Sequence, residues 1–425
     1  MTRVARTSRG RHAGRELRRC LTWIVVLAGG VFAARGAALV PGAVDLIYGR
    51  TLFPRIAALI GTPARAVSVS LVQLVAIVVV AGAGLGLVLG TRRAIRRRSW
   101  TAGFGPPHRL FALLAVTAWS FQIAWGFNYA RPPLVERLKL RRVPAEPANL
   151  TRLVRTLAYE VNTSYRLAIE SRQYQSREAP ASSLAPATSG APATLSSSLA
   201  ATVPSSGRPH KTDRPPGSPG PVTLRIDRQV VADRLAAGYA WLVPSFQLRP
   251  LPTPTYPRPL GWVLTRLGLG GFYFPFTAEA TVNAAIPDAV VPFVTAHEMA
   301  HQRGIAPEDE ANFQAYLACR ESGLVAARYS GALGAFGLAW NALARAAPDS
   351  ARTLAPSLLD PGPRADRSAI RDFWIRHEGS ASAAAERVNH AYLRANAQRG
   401  GIASYGRAVD LLLAYQAAGL IEANE

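Results

Sequence analysis

The first third of the chain contains three long apolar runs, at residues 20–40, 67–90 and 110–127. The first is interrupted by Arg35, the second has no charge, and the third is uncharged and rich in aromatic side chains. A helix that rises 1.5 Å per residue needs about 20 residues to cross about 30 Å of hydrocarbon. The pattern therefore predicts a transmembrane region of three helices over residues 20–127.

Two other interpretations fit parts of this pattern. Buried helices of a soluble core are apolar too, but they seldom exceed about 14 unbroken apolar residues. A cleavable signal peptide would explain the first run alone, because the tail before it, residues 1–19, is basic and small residues follow the run. The length of the first run, and Arg35 within it, favour a permanent span.

Arginine residues are distributed unevenly around the three runs. Residues 1–126 contain 17 arginines and two acidic residues, a net charge of +15 out of +23 for the whole chain. The arginines concentrate in 1–19 and 91–109, whereas 41–66 contains three. Because positive loops stay in the cytoplasm, we expect a cytoplasmic N-terminus. An odd number of spans then places residues 128–425 on the outer side.

Composition narrows the class of protein. Charged residues make up 18% of the chain, below the roughly 25% of an ordinary soluble protein. The basic excess flanks the apolar runs, so we expect a lipid bilayer and no nucleic acid as partner. Two cysteines, Cys20 and Cys319, are too few for a disulfide scaffold or a four-cysteine zinc site. We interpret both as apolar filling.

The C-terminal part, residues 128–425, has the pattern of a mostly helical domain with a small β element. Residues 149–173 carry an apolar face at helical spacing, and 271–283 are aromatic and β-branched, as in a strand or hairpin. Residues 174–222 consist largely of Ser, Ala, Pro, Thr and Gly. Such a segment buries too little apolar surface to offset its ordering entropy, so we expect a disordered insertion there.

The segment His297-Glu298-Met-Ala-His301 has the HExxH pattern. Residues four apart share one helix face, so both imidazoles can bind one ion. Glu298 follows His297 directly on the helix. Its carboxylate can therefore act as a general base on a water molecule at the metal. Gly304 ends the predicted helix, 290–303. The alternative is a pair of core histidines on one helix.

A zinc ion needs a third protein ligand. Position 307, where another class of zinc peptidases carries histidine, is Pro307. Glu308 and Glu310 follow at the start of the next helix and point to nearly opposite sides of it. We favour Glu308, because Asn312 one turn later could orient a ligand histidine. The helix dipole by itself favours acidic residues at a helix N-terminus. The alternative that neither Glu308 nor Glu310 binds a metal therefore stays open.

Four stretches resemble a known family. They are residues 126–134, 272–283, HEMAHQRGIAPEDEANFQAYLAC at 297–319 and AYLRANAQRGGIASYGRAVDLLLAY at 391–415. Together they resemble the bacterial membrane proteins of the domain of unknown function 3810 family, which looks similar to gluzincin-type zinc metallopeptidases. The resemblance implies a multi-pass protein of the bacterial plasma membrane with a zincin-like outer domain. It implies no substrate.

Further residues are candidates for oxyanion stabilisation or substrate contact. Tyr405 and Tyr392 are candidate donors, with His377 and His390 as alternatives; packing or surface roles explain all four equally simply. The 272–283 segment could be an edge strand on which a peptide pairs, or a hairpin packed on the active-site helix.

The sequence thus predicts a mainly α protein: a zinc-dependent peptidase that is anchored in the membrane and acts on a protein or peptide. Zn²⁺ is the expected cofactor, held by His297, His301 and Glu308, with Glu298 as catalytic base. Nitrogen and carboxylate ligands accept other divalent metals too. The competing hypothesis is a metal-binding membrane sensor or envelope scaffold without catalysis.

Overall fold

The computed structural model describes residues 2–67, 69–98, 106–178, 219–246, 249–395 and 407–421. Contacts between α-carbons divide the chain into two units. The first unit is Met1–Arg131 with Pro275–Thr277, and the second is Pro132–Phe274 with Ala278–Glu425.

The described part of the first unit consists of helices joined by short non-helical segments. Its elements are α1 (Thr2–Ala37), α2 (Pro41–Ala43), a π-helical segment (Val44–Leu52), α3 (Phe53–Ile60), α4 (Thr62–Ala66), α5 (Leu71–Arg96), α6 (Pro107–Ala124) and a 3-10 segment (Gly126–Ala130).

Two helices of this unit are long and apolar enough to cross a membrane: Gly14–Ala37 within α1, and α5. In each, only 6% of the most apolar window is buried inside the protein. The expectation of three spans is not met, because α6 falls short. It begins with Pro107, His108 and Arg109, and ends where Trp125 leaves helical geometry (φ −162°, ψ −33°). The 15 uncharged residues between them, 110–124, span about 22 Å, less than the hydrocarbon thickness.

The number of spans determines the side of the membrane on which the second unit lies. Two crossings return the chain to the side on which it started. The two apolar helices therefore do not by themselves place residues 128–425 outside the membrane.

The second unit contains eleven further helices and four strands within the described residues. They are α7 (Leu134–Arg137), α8 (Pro147–Glu170), β1 (Tyr174–Glu178), β2 (Pro219–Leu224), α9 (Arg228–Leu242), α10 (Arg258–Arg266), β3 (Gly271–Phe274), β4 (Glu279–Val282), α11 (Val291–Gln302), α12 (Glu308–Glu321), α13 (Val325–Ala346), α14 (Pro348–Leu358), α15 (Pro361–His377), α16 (Ser380–Ala395) and α17 (Arg407–Ala417).

The core of the second unit forms around α8, α11, α12 and α13. Leu150, Leu153, Leu157 and Val161 of α8 recur at helical spacing and are fully buried. α8 and α13 make the most extensive contact between helices. α11 and α12 pack against each other and against α13, so the HExxH helix lies inside the core.

The strands form two separate antiparallel pairs, β1 with β2 and β3 with β4. The first pair corrects the expected bounds of the insertion at 174–222, because both of its ends are paired strands: Tyr174 lies opposite Leu224, and Ser176 opposite Val222. The centre of that insertion, 179–218, lies outside the described residues. The second pair is the hairpin expected within residues 271–283.

Candidate metal centre

The helix α11 carries the HExxH residues and is buried along its entire length. All twelve residues from Val291 to Gln302 are buried, polar side chains included. Pro292 occupies its first turn, where the missing N–H needs no partner. A helix that buries two histidines and a glutamate must satisfy them locally, because unsatisfied polar groups are costly in a core.

The end of α11 positions one of the histidines. Gly304 has a φ of +80°, the left-handed conformation that favours glycine. The amide of Ile305 donates to the Ala300 carbonyl and that of Gly304 to the His301 carbonyl, which is a Schellman motif. This turn brings the Ile305 carbonyl to 2.7 Å from Nδ1 of His301. With that bond the Nε2 atom of His301 is directed towards His297.

Three donor atoms converge next to α11. Nε2 of His297 and Nε2 of His301 lie 3.1 Å apart. Oε2 of Glu308 is 3.2 Å from the His297 nitrogen, and Oε1 is 3.7 Å from the His301 nitrogen. Within the described residues, His297, His301 and Glu308 form the one group of three metal-type ligands.

These separations fit a tetrahedral zinc ion. Two donors that each lie about 2.05 Å from such an ion are about 3.3 Å apart. Two imidazole nitrogens and one carboxylate also match a ligand set found in catalytic zinc sites. The second ring nitrogen of His297, Nδ1, is buried and has no hydrogen-bond partner among the described residues. His301 therefore has the outer-shell support that metal-binding histidines usually have, whereas His297 lacks it.

His301 and Glu308 shift each other's pKa in opposite directions. Burial lowers the pKa of His301, but the nearby Glu308 carboxylate outweighs burial and raises that pKa to about 9. Burial raises the pKa of Glu308, but the two imidazoles hold it well below its usual range. The site without metal is thus an ion pair between His301 and Glu308 at neutral pH.

Glu298 is held in a separate buried position beside this cluster. It is 4% exposed, and its Oε2 has no hydrogen-bond partner among the described residues. Burial raises the pKa of Glu298 to about 7, although His297 and His301 act in the opposite direction. A β-carbon on Gly271 would lie 2.8 Å from Oε1 of Glu298. Only glycine at the start of β3 therefore leaves room for this carboxylate.

The structure separates the two acidic residues that the sequence left as alternatives. Glu308 faces both imidazoles, whereas Glu310 turns away from them and binds the segment at α7. Oε1 of Glu310 accepts a hydrogen bond from the Leu134 amide at 2.7 Å, and Oε2 pairs with Arg137 at 2.9 Å. Asn312 was expected to orient a ligand histidine, but its Nδ2 is buried without a hydrogen-bond partner among the described residues.

Two of the four other candidate side chains are described by the structure, those of His377 and His390. Tyr405 lies outside the described residues, and Tyr392 lies in α16 with an undescribed side chain. His377 of α15 is bonded through Nδ1 to the Phe373 carbonyl. His390 of α16 is not among the grouped metal-type ligands. Oxyanion stabilisation by any of these four residues remains a prediction.

Sequence reasoning missed two residues that shape the site. In the sequence, Gly271 is only the first residue of the predicted strand or hairpin at 271–283. No pattern in the sequence marks Ile305 as part of the site. The signal for Gly271 was weak, because a glycine that opens a strand usually marks a turn. For Ile305 the sequence contains a stronger, indirect indication. Gly304 predicts the end of the helix, and in a Schellman motif the residue after the glycine folds back onto the last helical turn.

The fold and the site together define a mainly helical protein with two candidate membrane helices and a buried cluster of two histidines and one carboxylate. The chain belongs to the family described as Protein of unknown function (DUF3810), whose model matches residues 48–413. No curated protein and no solved structure matches the chain.

Proposed function

We propose that this protein is a membrane-anchored zinc metallopeptidase that hydrolyses peptide bonds of a protein or peptide substrate. The observation that carries this proposal is the convergence of two imidazole nitrogens and a carboxylate at separations of 3.1, 3.2 and 3.7 Å. A separate buried carboxylate, Glu298, lies on the same helix as both histidines.

Each residue has a defined role in the proposed reaction. His297, His301 and Glu308 would hold the zinc ion. When bound, zinc polarises the scissile carbonyl and makes water easier to deprotonate near neutral pH. Glu298 takes the proton of the attacking water and passes it to the leaving amine. A carboxylate with a pKa of about 7 is matched to both transfers, because it is partly ionised at neutral pH.

The neighbourhood of Glu298 supports an extended peptide as the substrate. The strand β3 is an edge strand of the two-stranded sheet, with β4 as its neighbour. Gly271 at its start is in close approach to Glu298. A peptide that adds to the outer edge of β3 would carry its backbone past the general base, and main-chain hydrogen bonds would bind it whatever its sequence.

We further propose that the site lies on the outer side of the membrane. Within the first unit, α6 runs parallel to α1. Nδ1 of His108 lies 2.7 Å from Oε2 of Glu16, and eleven residues later Nε1 of Trp119 donates to the Val26 carbonyl at 2.9 Å. Both pairs have nearly the same sequence offset, so the two helices advance together.

The end of α6 also lies beside the segment that follows α1. The Tyr48 hydroxyl donates to the Ile123 carbonyl at 2.9 Å, and Arg131 pairs with Asp45 at 2.8 Å. If α1 crosses the bilayer, the end of its parallel neighbour α6 lies on the same side as the end of α1. This arrangement supports an outer position for the chain after Arg131.

Reporter fusions after residue 134 test the location. A reporter active only outside the membrane should give a signal there and none when fused after residue 98. A cytoplasmic signal at residue 134 would remove the outer location without affecting the proposed chemistry.

Full-length protein in detergent, with Glu298→Gln, tests the activity. The variant should bind one zinc ion per chain, as the wild type does, but cleave casein or a peptide library at least about 100-fold more slowly. Glu321→Gln, an exposed change at the end of α12, is the matched control and should keep full activity. Wild-type protein that binds zinc but cleaves none of these substrates would favour the sensor or scaffold hypothesis instead.

A further inference from the structure

A cavity of about 480 Å³ lies on the opposite side of α11 from the metal-type cluster. Met299, Gln302 and Arg303 line it from the end of α11. Met299 and Arg303 are each two residues beyond a histidine of the HExxH motif, about 200° around the helix. The volume is typical of sites for small organic molecules.

The charge of Arg303 is the unusual feature of this cavity. Arg303 is 7% exposed, yet no carboxylate pairs with it in the described part of the chain. Its Nη1 donates to the Met299 carbonyl at 3.1 Å and to Oε1 of Gln302 at 3.3 Å. Its Nε and Nη2 donate to no described residue. An arginine side chain stays protonated in proteins, so this buried guanidinium is charged at neutral pH.

The contacts that Arg303 does make fall short of what a buried cation needs. Its guanidinium lies 4.7 Å from the ring centre of Tyr239. Such a cation–π contact offsets only part of the cost of burying an ion that has no partner of opposite charge. The Tyr239 hydroxyl donates to the Ala296 carbonyl and is engaged elsewhere.

The residues that line the cavity have a net positive charge, and most of the others are apolar. Arg249 is a second guanidinium at the wall, and Asp233 is the single acidic residue among those lining the cavity. Asp233 accepts a hydrogen bond from Gln229 at 3.0 Å. Phe246 and the proline-rich residues 250–254 form much of the remaining wall.

The position of Arg303 is fixed rather than adaptable. Nε2 of Gln302 donates to the Pro252 carbonyl at 2.8 Å and to the Ala278 carbonyl at 2.9 Å. These bonds join the cavity wall to the end of α11 and leave Oε1 of Gln302 to accept from Arg303. A donor group held in place before binding loses little entropy when a ligand arrives.

The geometry points to a binding site in this cavity for a small organic oxyanion, a carboxylate or phosphate on an apolar body, with Arg303 as its principal counter-charge. The site is separate from the metal-type cluster and does not depend on peptidase activity. The ligand is either a free organic anion or the headgroup of an anionic lipid, since both present the same chemistry.

Binding to the full-length protein in a neutral detergent tests the inference. The probes are phenyl phosphate and benzoate, with phenol and benzyl alcohol as neutral counterparts and dihexanoyl phosphatidic acid as the lipid arm. The anions should bind measurably by calorimetry and raise the melting temperature, because a ligand stabilises the state that it binds. Tighter binding of the phosphatidic acid identifies a lipid ligand, and tighter binding of phenyl phosphate a free one. Equal binding of phenol and phenyl phosphate would overturn the inference.

Variants locate the site. Arg303→Met should weaken phenyl phosphate binding by about tenfold or more, since a charge-assisted hydrogen bond is lost, and Arg303→Lys should fall between Met and wild type. Arg352→Met, an exposed arginine of α14, is the control and should bind like wild type. Should Arg303→Met fail to fold, Arg249→Met decides, with an expected loss of severalfold. Unchanged affinity in the folded Arg303 variant, or in Arg249→Met, would contradict the site.

Discussion

The two units of the molecule treat apolar side chains in opposite ways. In α5 of the first unit only Val72 and Ala94 are buried, and Val78 and Val80 are about 70% exposed. In α11 of the second unit every residue is buried, and the buried set includes two histidines and a glutamate. An apolar run in a sequence therefore does not reveal whether protein or another medium covers it.

Length and polar content distinguish the two cases. α5 is 26 residues long and has no charged residue before Arg92. A helix in hydrocarbon must be uncharged over such a length. α11 has 12 residues and carries ionisable groups in its centre, which only a protein interior with matched partners can accommodate. The comparison teaches that the short buried helix with polar residues, not the most apolar one, contains the candidate site.

The strongest test of the second unit uses its two neighbouring buried acids. Glu308→Ala should reduce zinc affinity by more than about 100-fold, beyond the effect of losing an outer-shell partner. Glu310→Ala should keep zinc but lower the free energy of unfolding by about 3 kcal/mol, because Arg137 loses its buried partner. Metal analysis and denaturant unfolding separate these effects. If Glu310→Ala loses zinc and Glu308→Ala keeps it, then Glu310 and not Glu308 is the third zinc ligand.

The corresponding test of the first unit places a charge where α5 is exposed. Val79→Arg should disfavour membrane insertion by about 3 kcal/mol, because arginine in the middle of a span is costly. Thr91→Arg adds the same charge beside Arg92 and Arg93, where the helix end already carries positive charge, and should insert normally. A reporter fused after residue 98 of each variant gives the measurement, because α1 alone could keep either protein at the membrane. If this reporter is as fully cytoplasmic in Val79→Arg as in Thr91→Arg, α5 is not a span.

Local spacing alone predicts that the two imidazoles approach each other. His297 and His301 lie four residues apart on one helix, and their Nε2 atoms are 3.1 Å apart. The choice between Glu308 and Glu310 was beyond such reasoning, since it depends on Leu134 and Arg137, 176 and 173 residues away. Contacts of that range leave no periodic signal in a single sequence.

The fold was predictable in type but not in its details. Helical periodicity indicated α8 and a mainly helical second unit, and aromatic residues indicated the β3–β4 hairpin. The pairing of β1 with β2 was missed because it joins two ends of a segment that is poor in β-forming residues. The third span was overestimated because an uncharged run was counted past the residue, Trp125, at which the helix ends.

The buried ion pair of the second unit predicts that the stability of the protein depends on pH. The pKa of His301 in the metal-free protein is about 9, above its ordinary 6.5, because Glu308 outweighs burial. The folded state therefore holds a proton that the unfolded chain releases near pH 6.5. Stabilisation is complete below pH 6.5 and is lost as the pH rises to 9, by about 1.4 kcal/mol per pH unit.

Unfolding of chelator-treated protein between pH 6 and 9.5 measures this slope. Glu308→Gln is the control, since it removes the carboxylate that chiefly raises the pKa of His301, and its slope above pH 7.5 should be much smaller than that of the wild type. A metal-free wild type whose stability stays constant from pH 6.5 to 9 would contradict the ion pair.

The smallest expected effect concerns the turn that ends α11. Gly304 and Gly323 both have positive φ, +80° and +71°, at the ends of α11 and α12. Alanine at either position should lower the free energy of unfolding by about 1 kcal/mol, because a side chain is strained in that conformation. Only Gly304→Ala should also weaken zinc binding, by about tenfold, since it shifts the Ile305 carbonyl that orients His301. Equal zinc affinity in the two variants would mean that the carbonyl does not support the site, and that burial alone holds the His301 ring.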